Sequence, residues 1–233
     1  RLVVSQPNGV SFQLNGREVH WQNWRFRFSM QPMKGLVLYQ VGYEDNGRVR
    51  PILYKASLSE MVVPYGDPAK TWSFRNAFDV GEYGLGKTAH PLVPLLDAPA
   101  NAVFFDATIA NDLGDPLVIP RAVALYERDG GLLWKHHDST NGEKFGRRGR
   151  DLVLSFTTTI GNYDYGINWI FHQDGVLEVD VFLTGILLAK GTDVASSECD
   201  VSCTRIVEPF VTAPNHQHFF NFRLDLDVDG AKG

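Results

Sequence analysis

The run Val19-His20-Trp21-Gln22-Asn23-Trp24-Arg25-Phe26-Arg27-Phe28 puts Trp24, Phe26 and Phe28 on one side and Arg25 and Arg27 on the other. Successive side chains of a strand point to opposite faces, whereas apolar positions on a helix recur every three or four residues. The run therefore reads as a half-buried strand. Val10-Ser11-Phe12-Gln13-Leu14 alternates in the same way and reaches it through Asn15-Gly16, a pair suited to a hairpin turn. Leu36-Val37-Leu38-Tyr39-Gln40-Val41 and Val49-Arg50-Pro51-Ile52-Leu53-Tyr54 repeat the pattern around the polar turn Glu44-Asp45-Asn46-Gly47.

Further strands are expected over 151–159, 165–172, 177–184 and 216–226, with Asp174-Gly175 as a hairpin signal. Residues 64–68 and the proline-bearing stretch 87–100 read as loops. One short helix is expected over 56–61. No repeat, low-complexity tract or composition break divides the chain. Long aromatic-rich strands without long helices predict a mainly β protein, a large antiparallel β-sandwich.

The 233 residues are 44% hydrophobic, which argues against disorder. A chain of this length buries roughly 70% of its unfolded surface. The net charge of −5 comes from 22 basic and 27 acidic residues, and neither sign forms a long block. The one basic cluster, Lys144-Phe145-Gly146-Arg147-Arg148-Gly149-Arg150, reads as a solvated connection, so no nucleic-acid partner is expected. No apolar run approaches the roughly 18 residues a membrane helix needs, so no membrane span is expected. The start, Arg1-Leu2-Val3-Val4-Ser5, carries neither an initiator Met nor a signal-peptide pattern, and a fragment or processed piece is expected.

Two passages carry chemistry. His216-Gln217-His218 lies between Pro214 and the apolar Phe219-Phe220-Asn221-Phe222. On a strand its two imidazoles share a face and can reach one metal, copper or zinc. Thr159-Ile160-Gly161-Asn162-Tyr163-Asp164-Tyr165 sets a Tyr between an amide and a carboxylate in the most apolar part of the chain. Cys199 and Cys203 are the only cysteines; a local disulfide, a metal site and two isolated thiols all fit their spacing.

Together these passages resemble the catalytic domain of the copper-containing amine oxidases. In that family Thr-x-x-Asn-Tyr-Asp/Glu carries a Tyr oxidised in place to topaquinone, and His-x-His supplies two of three copper ligands. Here the motif reads Thr159-x-x-Asn162-Tyr163-Asp164, and His216 follows Tyr163 by 53 positions. A third match lies upstream, in Val63-Pro64-Tyr65-Gly66-Asp67-Pro68 and Phe78-Asp79-Val80-Gly81-Glu82-Tyr83. The resemblance covers essentially the whole chain.

The resemblance implies a set of roles. Tyr163 becomes the topaquinone, whose carbonyl condenses with a primary amine. Asn162 packs beside the ring, and Tyr65 hydrogen-bonds to a quinone oxygen. Asp79 is the base that takes a proton from the substrate α-carbon; read from the residues alone, it could instead cap the turn at Gly81. His216 and His218 bind copper(II), with the third His expected outside this chain, from a second segment or partner chain. Asp225, the backbone of Leu226 and Asp227 hold a second ion, calcium or manganese, unless they form a solvated strand end.

The reaction implied is a primary amine plus oxygen and water giving aldehyde, ammonia and hydrogen peroxide, on a homodimer. Residues 1–233 would be the first part of a single catalytic β-sandwich domain, the remainder lying elsewhere. The alternative is a non-catalytic subunit or copper-binding relic in which Tyr163 stays unmodified. Alignment from the flanking motifs puts the ends of the disulfide found in many members at Ala98 and Ala124. Loss of that bridge as a unit tips the expectation toward a cytoplasmic or peroxisomal location over secretion.

Overall fold

The computed structural model describes residues 5–193 and 204–230; Cys199 and Cys203 lie outside them. The chain folds as β1 (Gln13–Asn15), β2 (Glu18–Trp21), β3 (Trp24–Gln31), β4 (Gly35–Asp45), β5 (Arg48–Pro64), β6 (Asn76–Phe78), α1 (Asp79–Glu82), β7 (Val103–Ala110), β8 (Pro116–His137), β9 (Lys144–Ile160), β10 (Tyr163–His172), β11 (Leu177–Gly185), β12 (Lys190–Gly191), β13 (Thr204–Glu208), β14 (Val211–Pro214) and β15 (Phe219–Leu226). One sheet runs β1-β2-β3-β4-β5-β15 with β6 on β5, a second runs β11-β10-β9-β8-β7, and a small third runs β12-β14-β13. All named ladders are antiparallel.

The two large sheets pack face to face through the residues that the period-two pattern selects. Trp24, Phe26 and Phe28 are each at most 2% exposed. Phe26 stacks on Phe171 of β10 at 4.1 Å, and Phe28 meets Phe105 of β7 edge-on at 5.0 Å. Trp24 Nε1 donates to the His172 carbonyl at 2.7 Å, so its polar edge is satisfied across the sheets. Burying an aromatic of this size contributes about 1.5–3 kcal/mol. The core thus comes from alternate positions on both sheets, as a sandwich requires.

Several local expectations need correction. The first run is two strands, since Gln22 turns at φ 51° between β2 and β3. Residues 56–61 are not helical but the middle of β5, paired with β15 and, at Ala56, with β4. Ala56 and Leu58 then face the core while Ser57 takes the opposite face. The basic cluster 144–150 is the start of β9, hydrogen-bonded to the outer half of β8. The turn at Asn46-Gly47 forms as read, with φ of 50° and 75°, the left-handed pair of a tight hairpin. Ala98 and Ala124 are buried in one small cluster with Leu92, so apolar packing occupies the two positions aligned with the family's bridge.

Candidate active site

Tyr163 is the first residue of β10, directly after the two-residue turn Gly161-Asn162 that joins it to β9. Gly161 takes φ 60°, as the first position of a type II′ hairpin demands. Asn162 is therefore a turn residue. It is exposed, and its carbonyl accepts the Ile186 N–H at 2.7 Å. Beside the turn, the Thr159 hydroxyl donates to Asp164, and His90 Nε2 lies 2.8 Å from Thr159 Oγ1. The first contact ties β9 to β10 beside Tyr163, and the second ties β9 to the loop that carries His90.

The upstream motif is brought to the same place by backbone pairing. Tyr65 and His216 form an isolated antiparallel bridge, Gly66 N–H donates to the Asn215 carbonyl at 2.8 Å, and Gln217 N–H donates to Pro64. Neither His lies on β15, which begins at Phe219; residues 64–66 supply the extended partner instead. Both rings still come together, because Gln217 between them is exposed while His216 and His218 are half-buried. Their ring centroids lie 5.0 Å apart. The Tyr163 ring is 5.3 Å from His216 and 5.6 Å from His218, and Tyr65 stacks on His216 at 4.7 Å.

The His216 tautomer suits metal binding. His216 Nδ1 sits 3.0 Å from the Pro214 carbonyl, which can only accept, so Nδ1 carries the proton and Nε2 keeps its lone pair. His218 Nδ1 lies 3.1 Å from the Tyr165 hydroxyl. Burial, aided by neighbouring His216, pushes the His218 imidazole down to about 4, so it is neutral at pH 7. Two imidazoles on one face fit part of a copper(II) site. Among the described residues, no group of three or more His, Cys, Asp or Glu side chains is placed to hold a metal.

Asp79 opens α1 and is 3% exposed. It does not cap the turn. Glu60 does so from β5, accepting the Val80 N–H at 3.0 Å and the Gly81 N–H at 3.2 Å. That leaves the Asp79 carboxylate without a hydrogen bond among the described residues. Burial, reinforced by the negative charges of Glu82 and Glu60, pushes it up to about 6. Asp79, Tyr65, Asn162 and Tyr163 line one cavity of about 180 Å³, walled by apolar Val63, Ala77, Ile160 and Leu188. Tyr163 also lines a second cavity, of about 280 Å³, with His218, Leu183 and Ile186. Burial, with Tyr163 beside it, raises the Tyr65 phenol well above its ordinary value. Leu188 N–H donates to the Tyr163 hydroxyl at 3.3 Å.

Asp225 and Asp227 are not brought together. A bulge between Asp225 and Leu226 breaks the register of β15 on β5. Asp225 lines a cavity with Lys34, Lys55, Ser57 and Arg223, whereas Asp227 lines another with Gly42, Pro51 and Leu53. The buried Oδ1 of Asp227 has no hydrogen-bond partner, which fits a hard cation; the three cations around Asp225 do not. Sequence reasoning missed Glu60, Leu188, Arg75 and Lys190. The last of these ion-pairs with buried Asp67 in the loop that carries Tyr65. Nothing in their local sequence marks them, because long-range pairing brings each to the site.

The model for the copper amine oxidase enzyme domain matches residues 13–233, and the chain belongs to the copper amine oxidase family. It is 41% identical to a primary amine oxidase of Klebsiella aerogenes, over 98% of this chain and 31% of that protein. It is 43% identical to the peroxisomal N-methylputrescine oxidase 1 of Nicotiana tabacum, over 100% of this chain and 29% of that one. The crystal structure of a copper-containing benzylamine oxidase from Hansenula polymorpha superposes with a TM-score of 0.89 at 36% identity. That match covers 99% of this chain and 35% of the other. The chain spans about a third of the length of the curated relatives it matches.

Proposed function

We propose that this chain is the first part of the catalytic domain of a copper- and topaquinone-dependent primary amine oxidase. The reaction turns a primary amine, oxygen and water into an aldehyde, ammonia and hydrogen peroxide. The observation that carries this reading is the position of Tyr163, which shares one cavity with buried Asp79 and another with His218. Copper held by His216 and His218 would promote oxidation of the Tyr163 phenol by dioxygen, two O2 leaving two oxygens on the ring and departing as one hydrogen peroxide, and the quinone would supply an electrophilic carbonyl for the amine.

The other roles belong to ordinary side chains. Asp79, with no hydrogen bond to satisfy and a carboxyl up at about 6, accepts the proton that leaves the substrate α-carbon. Tyr65 holds the Tyr163 oxygen and so fixes the ring orientation, while Asn162 limits ring motion from the turn. Val63, Ala77, Ile160 and Leu188 keep water from the reacting carbon. The Pro214 carbonyl keeps His216 in the tautomer that offers Nε2 to the metal.

The third nitrogen ligand comes, in this proposal, from a further segment or chain, and two completed domains form a symmetric dimer. A calcium or manganese ion at Asp227, held by its buried, unpartnered Oδ1, would be structural; Asp225, set among Lys34, Lys55 and Arg223, takes no part in that site. A peroxisomal or cytoplasmic location accords with the peroxisomal relative. No helix among the described residues is long and apolar enough to cross a membrane.

Intact mass of the copper-loaded protein tests the proposal. Conversion of Tyr163 adds two oxygens and removes two hydrogens, about 30 Da, and phenylhydrazine should label one site per chain. His218→Ala should lose both the copper and the mass change. An amine-oxidising, copper-loaded protein with the mass of plain tyrosine would overturn the reading.

A further inference from the structure

The cavity that Asp79 shares with Tyr163 has a second charge. Among its lining residues only Asp79 and Arg75 are charged; Asp79 is buried and Arg75 exposed. The Arg75 guanidinium lies over the Trp72 ring at 4.5 Å and over the Tyr65 ring at 5.6 Å. Its backbone is held as well, its carbonyl accepting the Tyr65 N–H at 3.0 Å and its N–H donating to Trp72 at 2.9 Å. The neighbouring cation over Trp72, Lys190 at 5.5 Å, is answered by Asp67. Arg75 makes no ion pair with any described carboxylate. An aromatic-clamped cation with no ion-pair partner among the described residues thus lines the cavity together with apolar Val63, Ala77, Ile160 and Leu188.

We propose that Arg75 is a specificity-determining residue that selects monoamines over diamines. This rests on the proposed amine oxidation, which places the reacting amine at the Asp79–Tyr163 end. The tail of the substrate then runs along the apolar wall toward the guanidinium. A neutral or aromatic tail is accepted there, while a second ammonium meets like charge. Two unit charges about 7 Å apart in a partly exposed site repel enough to change binding roughly three- to fiftyfold. The preference is therefore electrostatic, not a matter of size.

The test compares butylamine with 1,4-diaminobutane in the parent, Arg75→Gln, Arg75→Met and Arg75→Lys, all as the complete copper-loaded protein. The readout is the monoamine-to-diamine ratio of kcat/KM for peroxide release, with phenylhydrazine labelling to count competent sites. In parallel, NMR titration of the metal-free proteins with the same two ammonium ions gives the diamine-to-monoamine ratio of Kd values. Both ratios should fall about tenfold in the two neutral variants and hold in Arg75→Lys. Unchanged ratios in the neutral variants would overturn the assignment. A parent that oxidises neither amine, yet shows the binding preference and loses it in Arg75→Gln, would defeat the oxidase reading and leave Arg75 as the charge selector.

Discussion

Asp79 shows how one backbone arrangement can set the chemistry of one side chain. Glu60 takes the N–H groups at the start of α1, so the Asp79 carboxylate is left to face the cavity, and burial pushes it up to about 6. At pH 7 its proton-accepting form dominates. As pH falls through 6 that form is lost, so kcat/KM for amine should drop about tenfold per pH unit below it. A pH profile flat down to 5 would contradict this. Asp79→Asn should still bind copper, gain about 30 Da and label with phenylhydrazine, but turnover should fall ~10²–10⁴-fold. Near-normal turnover with full labelling would remove Asp79 from the role. Stability carries the same signature with its sign fixed. A carboxyl raised in the folded state costs stability above about 6, and the cost fades as pH falls toward the unfolded value of 3.8. The Tm of Asp79→Asn should therefore exceed the parent's at pH 7.5 and converge with it near pH 4. An equal Tm at both pH values would deny the burial cost.

The β9–β10 turn and the end of β11 show how elements, not single residues, hold Tyr163. Gly185, at φ 101°, passes so close that a Cβ would sit 2.5 Å from the Asn162 carbonyl and 2.9 Å from Tyr163 Cα. Both neighbours are backbone and cannot swing aside. Gly185→Ala should lower Tm by several degrees, a loss of about 1–3 kcal/mol, and should reduce phenylhydrazine labelling at temperatures where the protein remains folded. Unchanged melting and labelling would show that the turn tolerates displacement. The same elements explain what the sequence discloses. Trp24, Phe26 and Phe28 announce the buried face of β3 because only one side of that strand meets the core. Residues 56–61 mislead because Ala, Ser and Leu are acceptable in a helix, and it is pairing with β4 and β15 that makes them a strand. The outer half of β8 was illegible because 129–137 lies mostly exposed on both faces, so no burial alternation is written into it. The motif residues at the site were legible by resemblance. Glu60 was not, since the Val62–Phe78 register that brings β5 beside α1 has no counterpart in local spacing.

At the scale of the whole molecule, two groups of exposed apolar side chains on the described surface suit contact with another polypeptide. Leu132, Leu133, Trp134 and Phe145, all at least 46% exposed, stand on the β8–β9 hairpin beyond the sandwich. Phe219, Leu224 and Leu226, all at least 49% exposed, stand on β15, which is the edge strand of its sheet. Unpaired edge groups and contiguous apolar side chains favour association with another polypeptide surface. The proposed copper site points the same way, because among the described residues only the imidazoles of His216 and His218 come together there, short of the usual nitrogen donors of copper(II). The active particle is accordingly predicted to contain a further segment that adds a His at the His216–His218 pair and covers β15, with two completed domains per particle. Native mass spectrometry followed by denaturing mass spectrometry would count chains and copper ions together, and a crosslink between β15 and the added segment would locate the contact. Chain 1–233 alone should bind copper weakly and associate through its exposed edges. A soluble, active particle made only of this chain with one tightly held copper per copy would defeat the prediction, and His20, His90, His136, His137 or His172 of a second copy would then have to provide the missing ligand.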